Sequence, residues 1–328
     1  MDVLRDLGRL GAALVFAWAG AIGAAGCSGK QGNVDDPGAG RDAGADMKRA
    51  CLSVRSQAAV TRQPADIIVV VDNSASMTAA ITAVQRNLND NFASLLERSG
   101  LDYRLILLSL HGSAVANQAI CIGPPLSQNP TCDPPPPRPV NGPRFFHYSL
   151  RIDSQNALDR VLSSYNQSDP SGQAPGGWAD WLRPGTQKAF LFFSDDNATL
   201  PAATFESRLQ ALLPARFGTA AMRSYVIHSL VGVVEKNPPT TPWLASEPVQ
   251  LGRCTGAGGA ISAGAEYQKL SISTGGLRFP ICQHASFDVA FQIVASGVLA
   301  ASPISCDFPV PAAPSMTSRP ASPAKSPN

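Results

Sequence analysis

Asp72, Ser74 and Ser76 place one carboxylate and two hydroxyls at alternate positions of the segment Asp72-Asn73-Ser74-Ala75-Ser76. Hard oxygen donors of this kind suit Mg²⁺ or Mn²⁺, which favour six oxygen ligands and usually keep several waters. The segment follows directly on Ile67-Ile68-Val69-Val70-Val71, a short β-branched run bounded upstream by Pro64. Such a run reads as a fully buried strand of an α/β sheet, and open α/β sheets bind ligands at the carboxyl edge of their strands. The same residues have a plainer use. Ser74 and Ser76 could instead satisfy backbone N–H groups where the next helix starts, and Asp195 could do likewise for the loop after its own strand.

The elements around that segment alternate. Ile81, Val84, Leu88, Phe92 and Leu95 recur at steps of three and four, which predicts a helix ended by Gly100. Tyr103 to Leu110 reads as a second buried strand, Arg144 to Ile152 as an alternating strand, and Ser154 to Tyr165 as a helix capped by Ser154. Lys188 to Ser194 is a further apolar strand, ending in Asp195-Asp196-Asn197. Pro201 to Phe217 reads as helix, Arg223 to Val234 as strand, the residues from Tyr267 to Ser273 as helix, and Leu277 to Ile281 as strand. A last helix follows Ser286, with Phe287, Phe291, Val294 and Val298 facing inward. Strands alternating with helices imply an α/β, Rossmann-like, doubly wound and mostly parallel sheet with helices on both faces. Two strand-end carboxylates, Asp72 and Asp195, pointing into one crevice repel each other unless a cation or proton intervenes.

Taken together, D-x-S-x-S after a buried strand and the motif FLFFSDDNA after a later one resemble the metal-ion-dependent adhesion site of von Willebrand factor A domains. The order of elements over residues 60–302 is similar to that family, and in particular to bacterial lipoproteins carrying a single such domain. The resemblance implies that Ser74 and Ser76 bind the ion directly and that Asp72 acts largely through water. It implies further that Asp195 is the acidic ligand of the third loop. The family draws a threonine from its second loop, but residues 166–185 contain none. Ser168, Ser171 and Asp169 are the substitutes available there, Ser171 with a hydroxyl and Asp169 with a carboxylate; Thr186 lies too close to the next strand. Asp196 stands where the family often has glycine.

Residues 1–26 read as a targeting segment. Arg5 and Arg9 precede an apolar stretch, and the segment ends in Ala24-Ala25-Gly26-Cys27, which resembles a bacterial lipobox with Ala24 in place of the usual Leu. The resemblance makes Cys27 the lipidated N-terminus of a mature, membrane-anchored protein; ordinary secretion is the alternative. Residues 27–50 are rich in Gly, Ala and Asp and read as a flexible tether, and residues 309–328 as a disordered Pro/Ala/Ser-rich tail. Between them, residues 51–308 are enough for one sizeable domain.

Six cysteines remain besides Cys27, and an even number in an exported chain favours disulfides. The expected pairs are Cys51–Cys306 joining the domain ends, Cys121–Cys132 closing a proline-rich insertion at residues 113–143, and Cys254–Cys282 closing a late loop. No C-x-x-C pair occurs, and His111, His147, His228 and His284 lack zinc-ligand spacing. Trp178 and Trp181 read either as partner contacts or as packing of their loop.

A formal charge of +2 gives no basis for nucleic-acid recognition. No G-x-S-x-G, P-loop or H-E-x-x-H motif is present, so an enzyme is not expected. The expected function is a lipid-anchored, cell-envelope module that binds a protein or peptide ligand through Mg²⁺ or Mn²⁺ and an acidic group of the ligand. Its expected place is the outer membrane, facing the periplasm or the cell surface. The rivals are a metal-independent scaffold and, behind it, a metal-dependent hydrolase.

Overall fold

The computed structural model describes residues 59–256, 259–301 and 304–307. Val60–Ser305 form one compact unit. The targeting segment with Cys27, the tether, Cys51, the side chain of Cys306 and the C-terminal tail lie outside the described residues, and with them the expected Cys51–Cys306 pair.

The chain alternates strand and helix. β1 (Ala59–Arg62) and β2 (Ala65–Val71) precede α1 (Thr78–Asn87) and α2 (Ser94–Arg98), which are joined by a π-helical turn at Leu88–Ala93. β3 (Tyr103–Ser109), the short α3 (Ala114–Asn117), β4 (Phe145–Ser149) and α4 (Ala157–Ser164) follow. Then come β5 (Gln187–Ser194), α5 (Ala202–Leu212), α6 (Pro214–Phe217), β6 (Tyr225–Val231), α7 (Ala265–Thr274), β7 (Arg278–Pro280), α8 (Phe287–Ala301) and β8 (Ile304–Asp307). Six strands form an entirely parallel sheet in the order β4-β3-β2-β5-β6-β7, and β1 and β8 form a separate two-stranded sheet.

Every residue of β2 is buried, which is why its sequence is an unbroken apolar run rather than an alternating one. Alternate side chains go to opposite layers. Ile67, Val69 and Val71 meet Ile81, Val84, Phe92, Phe291 and Val294 from the helices of one face, while Ile68 and Val70 share the other face with Leu158, Phe205 and Tyr267. The doubly wound α/β architecture read from the sequence is therefore present. His284–Ala301 is long and apolar enough to cross a membrane by length and composition, but Phe287, Phe291, Val294 and Val298 are packed in the core.

Two local readings need correction. The helix expected from Pro201 to Phe217 is divided, because Pro214 forces Leu213 out of helical geometry to φ −160° and starts a new turn. Ser154 does not cap α4; the cap position is Asn156, leaving residues 150–156 as a loop. Of the two readings of Trp178 and Trp181, packing of their loop is the one present: both are buried, Trp178 donating Nε1–H to the Val161 carbonyl at 3.1 Å and Trp181 stacking on Phe146.

The disulfides Cys121–Cys132 and Cys254–Cys282 are formed as expected. At the amino edge of the sheet a buried ion pair ties the β2 start to the segment before β5. Asp66 accepts Arg183 Nε–H and the Arg183 backbone N–H, each at 2.8 Å, and the Thr186 hydroxyl at 2.7 Å. Thr186 is thereby committed to the edge opposite Asp72.

Candidate metal centre

The chain runs from β2 to β3 on one side and later from β5 to β6 on the other, so the order reverses between β2 and β5. Such a switch point leaves a crevice at the carboxyl ends of the two strands. Asp72 leaves β2 there and Asp195 leaves β5 there. Both are nearly excluded from solvent, at 1% and 2% exposure.

Asp72 is held on both oxygens. Oδ1 accepts the Ser74 backbone N–H at 2.7 Å, and Oδ2 accepts the Ser194 hydroxyl at 2.9 Å. Burial nevertheless pushes its carboxyl up to about 6, outweighing those bonds, with the charge of Asp195 adding to the rise. Asp72 thus serves the start of the next helix, a role expected of the serines instead. Ser74 does not perform it: it occupies an extended, cap-like position, yet its hydroxyl makes no cap bond. Instead Ser74 Oγ lies 3.3 Å from Ser76 Oγ.

Asn73 locks this turn to its neighbours. Its amide N–H groups donate to Ser109 Oγ at 2.9 Å and the Gln118 carbonyl at 2.7 Å, and its Oδ1 accepts the backbone N–H of Leu110 and of Ile152. Its own backbone N–H donates to the Ile152 carbonyl at 2.7 Å. One side chain thereby ties together the residues that follow β2, β3 and β4. Sequence reading passed over it, since partners 36 to 79 residues away leave no local signal.

Asp195 is different. Its carbonyl accepts the backbone N–H groups of Ile261 and Ser262, but both carboxylate oxygens are buried without a hydrogen-bond partner. Burial raises its pKa above the ordinary value; the adjacent Ser76 side chain opposes the rise without closing a bond of normal geometry, and Asp196 reinforces it. A buried polar group left unpaired calls for an explanation, a bound ion among them. Asp196, by contrast, accepts Gln155 Nε2–H at 3.1 Å and the Asn197 backbone N–H at 2.7 Å. The Tyr267 hydroxyl is also buried and unpartnered, and the Asp72 charge helps burial to raise it.

Asp72, Ser74, Ser76 and Asp195 are therefore brought together, whereas Asp169 and Ser171 are not placed with them. Asp169 Oδ1 accepts the Ala174 N–H at 2.8 Å, and Oδ2 accepts both the N–H and the hydroxyl of Ser171. These two residues close their own loop, a use that hydroxyl and carboxylate content alone does not reveal. The loop that does reach the crevice is 150–156, through Ile152 on Asn73, the Ser154 carbonyl accepting Ser194 Oγ–H at 3.4 Å, and Gln155 on Asp196.

Two carboxylates and two hydroxyls suit a small, hard cation that keeps waters in its shell. The one group of three or more His, Cys, Asp or Glu ligand atoms within 4.8 Å of one another among the described residues is Glu235, Cys254 and Cys282. There the sulfurs are already bonded to each other. No family model matches the chain, and no curated protein matches it.

Proposed function

We propose that this domain is a divalent-cation-dependent protein-binding module. In this reading Ser74, Ser76 and Asp195 hold Mg²⁺ or Mn²⁺, with Asp72 acting beside them, and the ion takes an acidic group of a protein or peptide ligand at an open position. The observation that carries the reading is the buried Asp195 carboxylate, which accepts no hydrogen bond on either oxygen and stands near the Ser76 hydroxyl, itself 3.3 Å from that of Ser74. The arrangement resembles the adhesion site of von Willebrand factor A domains. The lipobox-like segment ending at Cys27 extends the proposal to a lipid-anchored place in the bacterial cell envelope. A hydrolytic reading has less support, since among the described residues no histidine hydrogen-bonds Ser74 or Ser76.

The test is thermal unfolding of the oxidised protein in chelator and in millimolar Mg²⁺ or Mn²⁺, for wild type and Asp195→Asn. An ion that binds only the native state raises the midpoint, by about 2.7 kcal/mol of stability at a hundred times Kd. The expected result is a metal-induced rise in wild type and none in the variant, whose midpoint in chelator equals or exceeds that of wild type. A well-folded wild type that ignores both ions would remove the cation. The metal-independent scaffold would then stand, a reading favoured by the commitment of Asp169 and Ser171 to their own loop.

A further inference from the structure

A second polar cavity opens at the other end of the sheet, and its chemistry is opposite. It has a volume of about 80 Å³, well above the roughly 10–15 Å³ a single water needs. Thr186, Lys188, Arg216 and Ser224 are among its lining residues. Lys188 is only 1% exposed. Its ammonium donates to the Thr186 carbonyl at 2.6 Å and to Thr186 Oγ1 at 3.4 Å, and among the described residues it forms no ion pair. Asp66 lies opposite it in register on β2, but the carboxylate of Asp66 is filled by Arg183 and Thr186.

A buried ammonium without a carboxylate is costly. Here the surroundings add to the cost. Burial lowers the Lys188 pKa, and although Asp66 opposes this, Arg216 and Arg183 push in the same direction as burial. Arg216 spends Nη1 on the Ala179 carbonyl at 2.8 Å and on the Tyr165 hydroxyl at 3.4 Å. Two cationic residues thus line one cavity, and among the described residues neither forms an ion pair.

We propose that this cavity is a binding site for a tetrahedral oxyanion, phosphate or sulfate, held by the Lys188 ammonium, the Arg216 guanidinium and the Ser224 hydroxyl. Two positive charges match a dianion better than a single carboxylate. The donors come from β5, α6 and the residue before β6, so they approach from different directions, as the several oxygens of such a group require. The site lies at the edge opposite Asp72 and Asp195 and stands or falls independently of the cation there.

Isothermal titration of the full-length oxidised protein with inorganic phosphate, with sulfate and with glycerol phosphate in low-chloride buffer tests it. The expected result is saturable binding that weakens about tenfold or more in Lys188→Met and in Arg216→Gln, as loss of a charged hydrogen bond implies, and is unchanged in Asp195→Asn. Tighter binding of the monoester would assign the site to the end of a larger phosphorylated ligand, and equal binding to the free anion. Absence of saturable binding, or binding that both variants keep, overturns the proposal. Circular dichroism reports whether each variant folds; should Lys188→Met fail to fold, Arg216→Gln, altered at a half-buried side chain, decides alone.

Discussion

Asp66 and Asp195 are the same residue type, are buried to the same degree, and lie at opposite ends of neighbouring parallel strands. Their surroundings differ completely. Asp66 receives an arginine, a backbone N–H and a threonine hydroxyl; Asp195 receives no hydrogen bond on either carboxylate oxygen. A fully satisfied buried carboxylate holds structure together. An unsatisfied one destabilises the fold unless something from outside completes it. The contrast marks the amino end of β2 as internally satisfied and the carboxyl end of β5 as the place where the proposed cation would complete an unpaired carboxylate.

The comparison breaks most visibly by removing Asp66. Asp66→Ala leaves Arg183 with only the exposed Asp102 as its acidic partner and the Arg183 backbone N–H and Thr186 hydroxyl without their acceptor, and should cost about 2–3 kcal/mol in urea unfolding, whereas Asp195→Ala in chelator should cost far less; equal losses would erase the distinction. Of similar size is the effect of pH. The Asp72 carboxyl titrates near 6 in the folded protein against 3.8 unfolded, so the folded state binds the extra proton between those values. Its contribution is fully present below about 3.8 and is lost as pH rises through 6. In chelator, urea unfolding should therefore show stability falling from pH 4 to pH 7 by on the order of 3 kcal/mol, with the slope flattened in Asp72→Asn. Saturating Mg²⁺ should reverse the trend above pH 6, because the ion competes with that proton.

Asn73→Ala removes the clasp between three strand ends and should cost about 2–3 kcal/mol in the same assay, with metal affinity falling as well. A loss of stability with unchanged metal affinity would separate the clasp from the site. The smallest effect belongs to Tyr267→Phe. Deleting a hydroxyl that is buried and unpartnered should change stability by less than about 1 kcal/mol, and a larger loss would mean that the phenol supports Asp72.

The layers of the fold were legible because they rest on periodicity. The runs IIVVV and AFLFF, within β2 and β5, are apolar on both faces, and each leads into a polar turn at the carboxyl edge of the sheet. That Asp72, Ser74, Ser76 and Asp195 share one edge of the sheet was legible for that reason. Asp169 and Ser171 were misplaced because a carboxylate two residues from a serine looks the same whether it faces an ion or closes its own turn. Gln155 was hidden inside an expected helix, and Ser154 looked like its cap. Lys188 was counted as the start of a strand; that it sits beside Asp66 without pairing to it depends on a register no local pattern encodes.

The Cys121–Cys132 bridge bears on how the chain responds to cutting. It spans 11 residues of an insertion whose Pro124, Pro125 and Gln128 are exposed, and exposed loop tips are where proteases nick folded proteins. A single cleavage between the two cysteines would leave both halves covalently joined and the central β2–β5 pairing intact. Such a molecule would migrate as one band on a non-reducing gel and as two after reduction, so the loop can absorb a break without the domain coming apart.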